Sequence, residues 1–116
     1  MNFRLPMTPG DLWRVVGVMS GTSADGVDAV GIEVDPSQFK SGQPFRSFQG
    51  HYFEAYPAAL RSRILQATQD TLKISELTLL QRALGDFQAA CVQKLLQQQN
   101  RPVHLIALHG QTVQHH

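Results

Sequence analysis

The chain has 116 residues, of which 42% are hydrophobic, so it can form one ordinary domain with a real core. Ten Lys and Arg against nine Asp and Glu give a net charge of +1, and no basic block gathers along the chain, which argues against a nucleic-acid-binding protein. No apolar run approaches the roughly 18 residues that cross a bilayer, and the N-terminus lacks a secretory signal, so we expect a soluble cytoplasmic protein with a small-molecule ligand. The single cysteine, Cys91, excludes an intramolecular disulfide and is expected in the core.

The first half of the chain predicts three strands. Residues 1–12 lack periodicity and are expected to form a loose leader. The nearly continuous apolar run 13–19 suits a strand buried on both faces, and the alternating segment 27–34 completes a hairpin with a polar loop at its tip. After a turn-rich connection, 45–56 predicts a third strand with a bulge near Gly50.

The second half predicts two helices and a fourth strand. Pro57 suits the first turn of a short helix that ends near Gln69. Ser75 can cap a long helix that stops at Asn100, and 103–108 reads as a buried strand. The long helix carries an apolar stripe at intervals of three or four residues, formed by Leu77, Leu80, Leu84, Phe87, Cys91 and Leu95.

The predicted fold class is therefore α/β, with the order β-β-β-α-α-β. The helical crossover predicts that the last strand lies parallel to its neighbour. Its C-terminal end delivers residues 109–112 to the position where open α/β sheets bind ligands. Because no further strand or covering helix follows, we expect the chain to stop in the middle of a domain.

The hairpin loop carries more polar groups than a chain reversal needs. Gly21 and Gly26 would let backbone N–H groups approach a phosphate, and hydroxyls at 20, 22 and 23 would add donors. Asp25 and Asp28 would repel a polyphosphate unless a divalent cation lay between, so the loop predicts Mg²⁺. The alternative is a polar hairpin tip whose carboxylates bond to local amides.

Other known motifs fit these residues less well. Gly21 and Gly26 have the glycine spacing of a Walker loop, but Val27 and Asp28 stand where Lys and Ser or Thr belong, and a strand follows. Neither G-x-S-x-G nor G-x-G-x-x-G occurs. A metal site on the histidines at 109, 115 and 116 is disfavoured because no cysteine or carboxylate lies near them. For His109 and its neighbours, a ligand contact and a structural hydrogen bond remain equally open.

Two motifs in a fixed order resemble one known family. Met-Ser-Gly-Thr-Ser-Ala-Asp-Gly-Val-Asp at 19–28, followed by His-Gly-Gln-Thr-Val at 109–113, is similar to the anhydro-N-acetylmuramic acid kinases. A Tyr-Pro helix start at 56–57 and Arg-Ala-Leu-Gly at 82–85 extend the resemblance over nearly all of 13–116. It implies the sugar kinase, Hsp70 and actin superfamily, so the chain would be the N-terminal part of an actin-like (ribonuclease H-like) lobe.

The resemblance also implies an activity and a set of site residues. The family uses ATP and water to convert 1,6-anhydro-N-acetylmuramate into N-acetylmuramate 6-phosphate during murein recycling. Asp25 is the expected Mg²⁺ residue, acting directly or through water, and Ala24 replaces a usual Leu. The ATP-binding positions would be Gly21, Thr22, Ser23, Ala24, Asp25, Gly26, Val27 and Asp28, and the sugar cleft would be lined by His109, Gly110, Gln111 and Thr112.

The resemblance further implies what this chain lacks. The family's expected general base is an Asp in a later Gly-Gly-Gln-Gly-Ala-Pro-type motif, so no catalytic residue is assigned within 1–116. The adenosine-binding second lobe is also absent, and we expect residues 13–116 to form a partial lobe that is inactive alone. The alternative is a non-catalytic phosphate- or sugar-binding remnant, or a module that self-associates through its sheet edge into a homodimer.

Overall fold

A computed structural model describes residues 10–21, 23–69, 71–111 and 113, and it confirms the α/β class. The predicted leader over 1–9 lies outside the described residues. Within them, no helix is long and apolar enough to cross a membrane. The elements in chain order are β1 (Trp13–Ser20), β2 (Gly26–Val34), a 3-10 turn (Pro36–Gln38), β3 (Phe45–Ala55), α1 (Ala58–Thr68), α2 (Ile74–Gln99) and β4 (Leu105–Gln111).

The four strands form one mixed sheet in the order β3-β2-β1-β4. The pairs β1–β2 and β2–β3 are antiparallel, and β4 is parallel to β1, as the helical crossover predicted. The β3 register shifts where Gly31 pairs with Gly50 and Ile32 pairs with Phe48, which leaves Gln49 as the extra residue. The bulge predicted near Gly50 is therefore confirmed.

The described helices pack on one face of the sheet, and this face builds the core. The core combines Val16, Val18, Val27 and Ala29 from β1 and β2 with helical residues that include Leu95. The prediction that β1 is buried on both faces is wrong, since Met19 is 62% exposed. Its neighbours alternate as a strand requires, but within the described residues no helix covers the second face.

The long helix differs from its prediction at its start. Helix α2 begins at Ile74 after Lys73, without a side-chain cap, so Ser75 lies in the first turn and is not the N-cap. The predicted stop at Asn100 is confirmed, and this residue ends the helix in a left-handed conformation with φ of 50°. Leu77 is exposed, whereas the rest of the stripe contacts the core: Leu80, Leu84, Phe87, Cys91 and Leu95.

The fourth strand also differs from its prediction. It occupies Leu105–Gln111 instead of 103–108, so His109 to Gln111 belong to the strand and do not form a turn beyond it. The buried character inferred from its composition is wrong: Leu105 and Leu108 are exposed. The reason is position, because β4 is at the edge of the described sheet and pairs only with β1.

Candidate functional site

Four chain segments meet at the end of the sheet where β1 and β4 terminate. Strand β1 ends at Ser20, and the loop returns to β2 at Gly26. Because β3 is antiparallel to β2, its last residue, Ala55, pairs with Gly26, and helix α1 begins beside the loop. Because β4 is parallel to β1, Gln111 pairs with Ser20. The topology therefore brings the start of α1 and the end of β4 to opposite sides of the loop.

The loop contains a left-handed residue that is not glycine. Ala24 has φ of 54°, and its N–H donates to the carbonyl oxygen of Gly21 over 3.2 Å. This conformation costs an L-residue roughly 1–2 kcal/mol, so neighbouring groups must hold it in place. The Ala24 side chain is buried in the core, and this burial supplies part of that restraint.

Arg61 from α1 supplies the rest. Its Nε donates to the carbonyl of Ala24 over 3.1 Å, and a terminal guanidinium nitrogen lies 3.4 Å from the carbonyl of Ser23. The same group lies 3.9 Å from Asp25 Oδ1 on the surface, where an ion pair contributes little. The N–H of Tyr56 donates to the carbonyl of Asp25 over 3.0 Å. Carbonyl oxygens of three successive loop residues are thus held by donors from the α1 side.

A buried side-chain network joins the loop to β4. Ser20 Oγ lies 2.9 Å from both the carbonyl of Gly26 and the hydroxyl of Tyr56. The amide oxygen of Gln111 accepts from Ser20 Oγ and from the Tyr56 hydroxyl, the latter over 2.9 Å. Its Nε2 donates to the carbonyl of Gly21 over 2.9 Å. Burial raises the pKa of Tyr56, so the phenol stays protonated and remains a donor near neutral pH.

The ATP-binding positions predicted from sequence do not form one surface. Gly21, Ser23 and Asp25 are exposed at the loop, whereas Val27 is fully buried in the core. Thr22 lies outside the described residues. Gly26 is needed for close approach to β3, because a Cβ there would lie 2.9 Å from Ala55 Cα and 2.7 Å from the Phe53 ring.

Two side chains of the predicted site are directed away from the loop surface. Asp28 is on the face opposite the helices, where its Oδ1 lies 2.6 Å from His51 Nε2. Ser20, expected as a phosphate donor, is buried on the helix side, where its hydroxyl is used by the network. Both residues belong to strands, so alternation along the strand sets the direction of each side chain. The prediction of a phosphate loop treats them as loop residues.

The predicted sugar-cleft residues border a groove between α2 and β4. The groove has a volume of about 570 Å³ and apolar walls, with His109 and Gln111 at its rim. Thr112, His115 and His116 lie outside the described residues, and within the described part of the chain no three His, Cys, Asp or Glu side chains form a metal cluster. The remaining walls are Leu77, Leu80, Gln81, Leu84, Gly85, Gln88, Leu108, Gly110 and Val113.

The loop offers too few carboxylates to hold Mg²⁺ by protein side chains alone, and it is better suited to Mg²⁺ that is already coordinated by a phosphate ligand. Mg²⁺ commonly uses one or two carboxylates, with waters and phosphate oxygens completing its shell. Asp25 offers one carboxylate with a side chain 69% exposed, and Asp28 is directed to the other face. The donor set therefore suits Mg²⁺ bound mainly to phosphate and contacted by Asp25 directly or through water.

Sequence reasoning missed the parts played by Tyr56 and Arg61. The sequence assigns Tyr56 only to a strand end and helix start and gives Arg61 no role. The signal that could have identified them is topological: a strand antiparallel to β2 must end beside the loop, which places the following helix start there too. A tyrosine and an arginine within six residues of that strand end are then candidates for holding the loop.

Comparison with known proteins agrees with the motifs. The family model described as anhydro-N-acetylmuramic acid kinase matches residues 13–116. The protein of that name from Synechococcus elongatus is 41% identical over 103 residues, covering 88% of this chain and 26% of the relative. Those from Neisseria meningitidis serogroup C and Idiomarina loihiensis are 40% and 35% identical, with 27% of each relative covered. The chain spans about a quarter of the length of these curated relatives. The chain belongs to the anhydro-N-acetylmuramic acid kinase family.

Proposed function

We propose that this chain contributes the ATP-phosphate loop of a sugar kinase that converts 1,6-anhydro-N-acetylmuramate, with ATP and water, into N-acetylmuramate 6-phosphate. The observation that carries the proposal is the restrained loop: carbonyls of Gly21, Ser23 and Ala24 accept from Gln111 and Arg61. Carbonyl oxygens repel phosphate, so hydrogen bonds that hold them away from the loop surface favour an anion there. The family match supports the choice of ATP as that anion.

The residues of the loop would share the work of binding. Exposed Gly21 leaves room for close approach, since among the described residues a Cβ there would meet only Ser23 Oγ, at 3.9 Å. Mg²⁺ bound with ATP would neutralise phosphate charge, and Asp25 is the residue proposed to contact it. The half-exposed Arg61 guanidinium adds positive charge beside the loop.

The sugar is proposed to bind on the β4 side. The groove beside His109 combines apolar walls with the polar residues Gln81 and Gln88 in its lining. Such a lining suits a molecule with a ring face and an acetamido group. His109 is exposed and is one of the residues that line this groove.

We propose that these 116 residues bind ATP but do not catalyse phosphate transfer. A general base must reach the attacking water, and the two loop carboxylates are poorly placed for that task. Asp25 neighbours Arg61, and Asp28 faces the opposite side of the sheet beside His51. We therefore propose that residues 13–116 form part of one lobe, whose base and adenosine site come from elsewhere in a complete enzyme.

Titration calorimetry of the full 116-residue chain with ATP and Mg²⁺ tests this function. We expect saturable binding that weakens at least roughly tenfold in Asp25→Ala and in the absence of Mg²⁺. Asp86→Ala is the matched control, because it removes the same charge from an exposed position on α2. No binding by the wild-type chain, or equal binding by both variants, would count against the phosphate loop.

One observation favours self-association as a second candidate. Strand β4 is at the edge of the described sheet, and Leu105 and Leu108 are exposed on it. An exposed apolar edge strand can pair with another chain. Sedimentation equilibrium over a range of concentrations separates the two candidates, since a homodimer would appear without nucleotide and persist in Asp25→Ala.

A further inference from the structure

The Gly110 bulge determines where the Gln111 side chain points. Val18 pairs with Leu108, but Ser20 pairs with Gln111, so β4 contains one more residue than β1 over this interval. Gly110 has φ of 82°, a left-handed conformation that suits an extra residue in a strand. Without the extra residue, alternation would direct Gln111 to the uncovered face. With it, Gln111 returns to the face of Ser20.

The orientation of the Gln111 amide follows from its neighbours. The carbonyl of Gly21 can only accept, so the donor nitrogen of the amide must face it, at 2.9 Å. The amide oxygen then faces Ser20 and Tyr56, whose hydroxyls can donate. Ser20 and Tyr56 are 5% and 6% exposed, so the Gln111 oxygen contacts two buried hydroxyls, while its nitrogen bonds to Gly21 at the protein surface.

We propose that Gln111 is a positioning residue of the phosphate loop, acting through the Gly21 carbonyl and making no contact with the sugar or phosphate itself. The inference rests on the proposed function of the loop. It assigns to Gln111 a role different from the sugar-cleft role that the motif resemblance implies. The neighbouring His109 keeps the sugar-cleft role proposed above.

The physical effect concerns the direction of a peptide unit. The Gly21 carbonyl accepts both the Ala24 N–H, at 3.2 Å, and Gln111 Nε2, which occupies both of its lone pairs. Holding the Gly21 carbonyl toward β4 therefore keeps its partial negative charge away from the phosphate side.

The test is Gln111→Glu, followed over pH in the full-length chain. A deprotonated Glu cannot donate to Gly21, whereas a protonated Glu has nearly the same shape and can. We expect the ¹³C shift of the Gly21 carbonyl to match wild type at pH 4 and to depart from it at pH 7, in one proton step. Affinity for inorganic tripolyphosphate, relative to wild type at each pH, should fall at least roughly tenfold between those values.

Two further variants control the experiment. Gln93→Glu makes the same change on an exposed turn of α2 and should leave both the carbonyl shift and the affinity unchanged. Tyr56→Phe removes one donor to the Gln111 oxygen with little change in shape, and should weaken tripolyphosphate binding roughly fivefold even if Gln111→Glu does not fold.

The outcomes separate the inference from the function on which it rests. A Gly21 carbonyl shift that is the same in Gln111→Glu and wild type at pH 7 overturns the positioning role. Equal tripolyphosphate affinity in Tyr56→Phe and wild type also overturns it. If wild type binds no phosphate while the carbonyl shift follows the proton step, the proposed function fails and the positioning of the loop by Gln111 stands.

Discussion

Replacing Gly26 with alanine should destabilise the protein through a backbone collision. The added Cβ would lie 2.9 Å from Ala55 Cα and closer still to the Glu54 carbonyl oxygen, both in the backbone of β3. Ordinary contacts of a Cβ begin near 3.4 Å, so β3 must move by at least about 0.5 Å. Overpacking of this kind costs about 1–3 kcal/mol, and loss of one ladder hydrogen bond adds about 1 kcal/mol.

The alanine substitution also lowers the entropy of the unfolded chain, which offsets part of this cost and leaves a net loss of about 1–3 kcal/mol. Urea unfolding of Gly26→Ala should show the midpoint lowered by roughly 1–2 M, given a slope near 1.5 kcal/mol/M. Gly17→Ala is the matched control: Gly17 lies on β1 with no atom within 4 Å of an added Cβ, so a gain of about 0.5 kcal/mol is expected. Equal midpoints for the two variants would refute the close-approach argument.

Two further predictions concern the bulge and a surface ion pair. Gly110→Ala should lower the free energy of unfolding by about 1 kcal/mol through its φ of 82° alone, since an added Cβ meets nothing within 4 Å. Gly85→Ala, equally unobstructed on exposed α2, should instead raise it by about 0.5–1 kcal/mol, and thermal unfolding of both variants checks the contrast. The hydrogen bond that Lys94 donates to Glu54 lowers the pKa of Glu54 from 4.5 and raises the pKa of Lys94 from 10.5. The pair therefore stabilises the fold between these values, and the deficit of Glu54→Gln should disappear as the pH falls below 4.5; a deficit unchanged at pH 3 would contradict this.

The elements of the fold could be predicted well from sequence because their signals are local. Alternation and β-branched residues identified β1 and β2, and Gly50 marked the β3 bulge that the register confirms. The apolar stripe of α2 marked its core face. The failures came where burial depends on neighbours: the composition of β1 and β4 gave no indication that one sheet face and one sheet edge are left uncovered by the described residues.

The properties of the candidate site also divide into those set by local sequence and those set by the tertiary structure. The motif at 19–28 located the loop and its family, because glycines, hydroxyls and carboxylates in that order are a property of the chain alone. The face of Asp28 follows from strand alternation, which is a local property of β2. The direction of Gln111 is not local, because it faces Ser20 only through the bulge at Gly110, which adds one residue.

The sequence by itself thus determined the element types, the loop and the family, since each depends on residues near one another along the chain. Only the tertiary structure decided which groups hold the loop. Tyr56, Arg61 and Gln111 are 31 to 90 residues away in sequence from the loop carbonyls they bind, at Asp25, Ala24 and Gly21. They reach the loop because β3 runs antiparallel to β2 and β4 runs parallel to β1, which brings the ends of both strands to the same edge of the sheet.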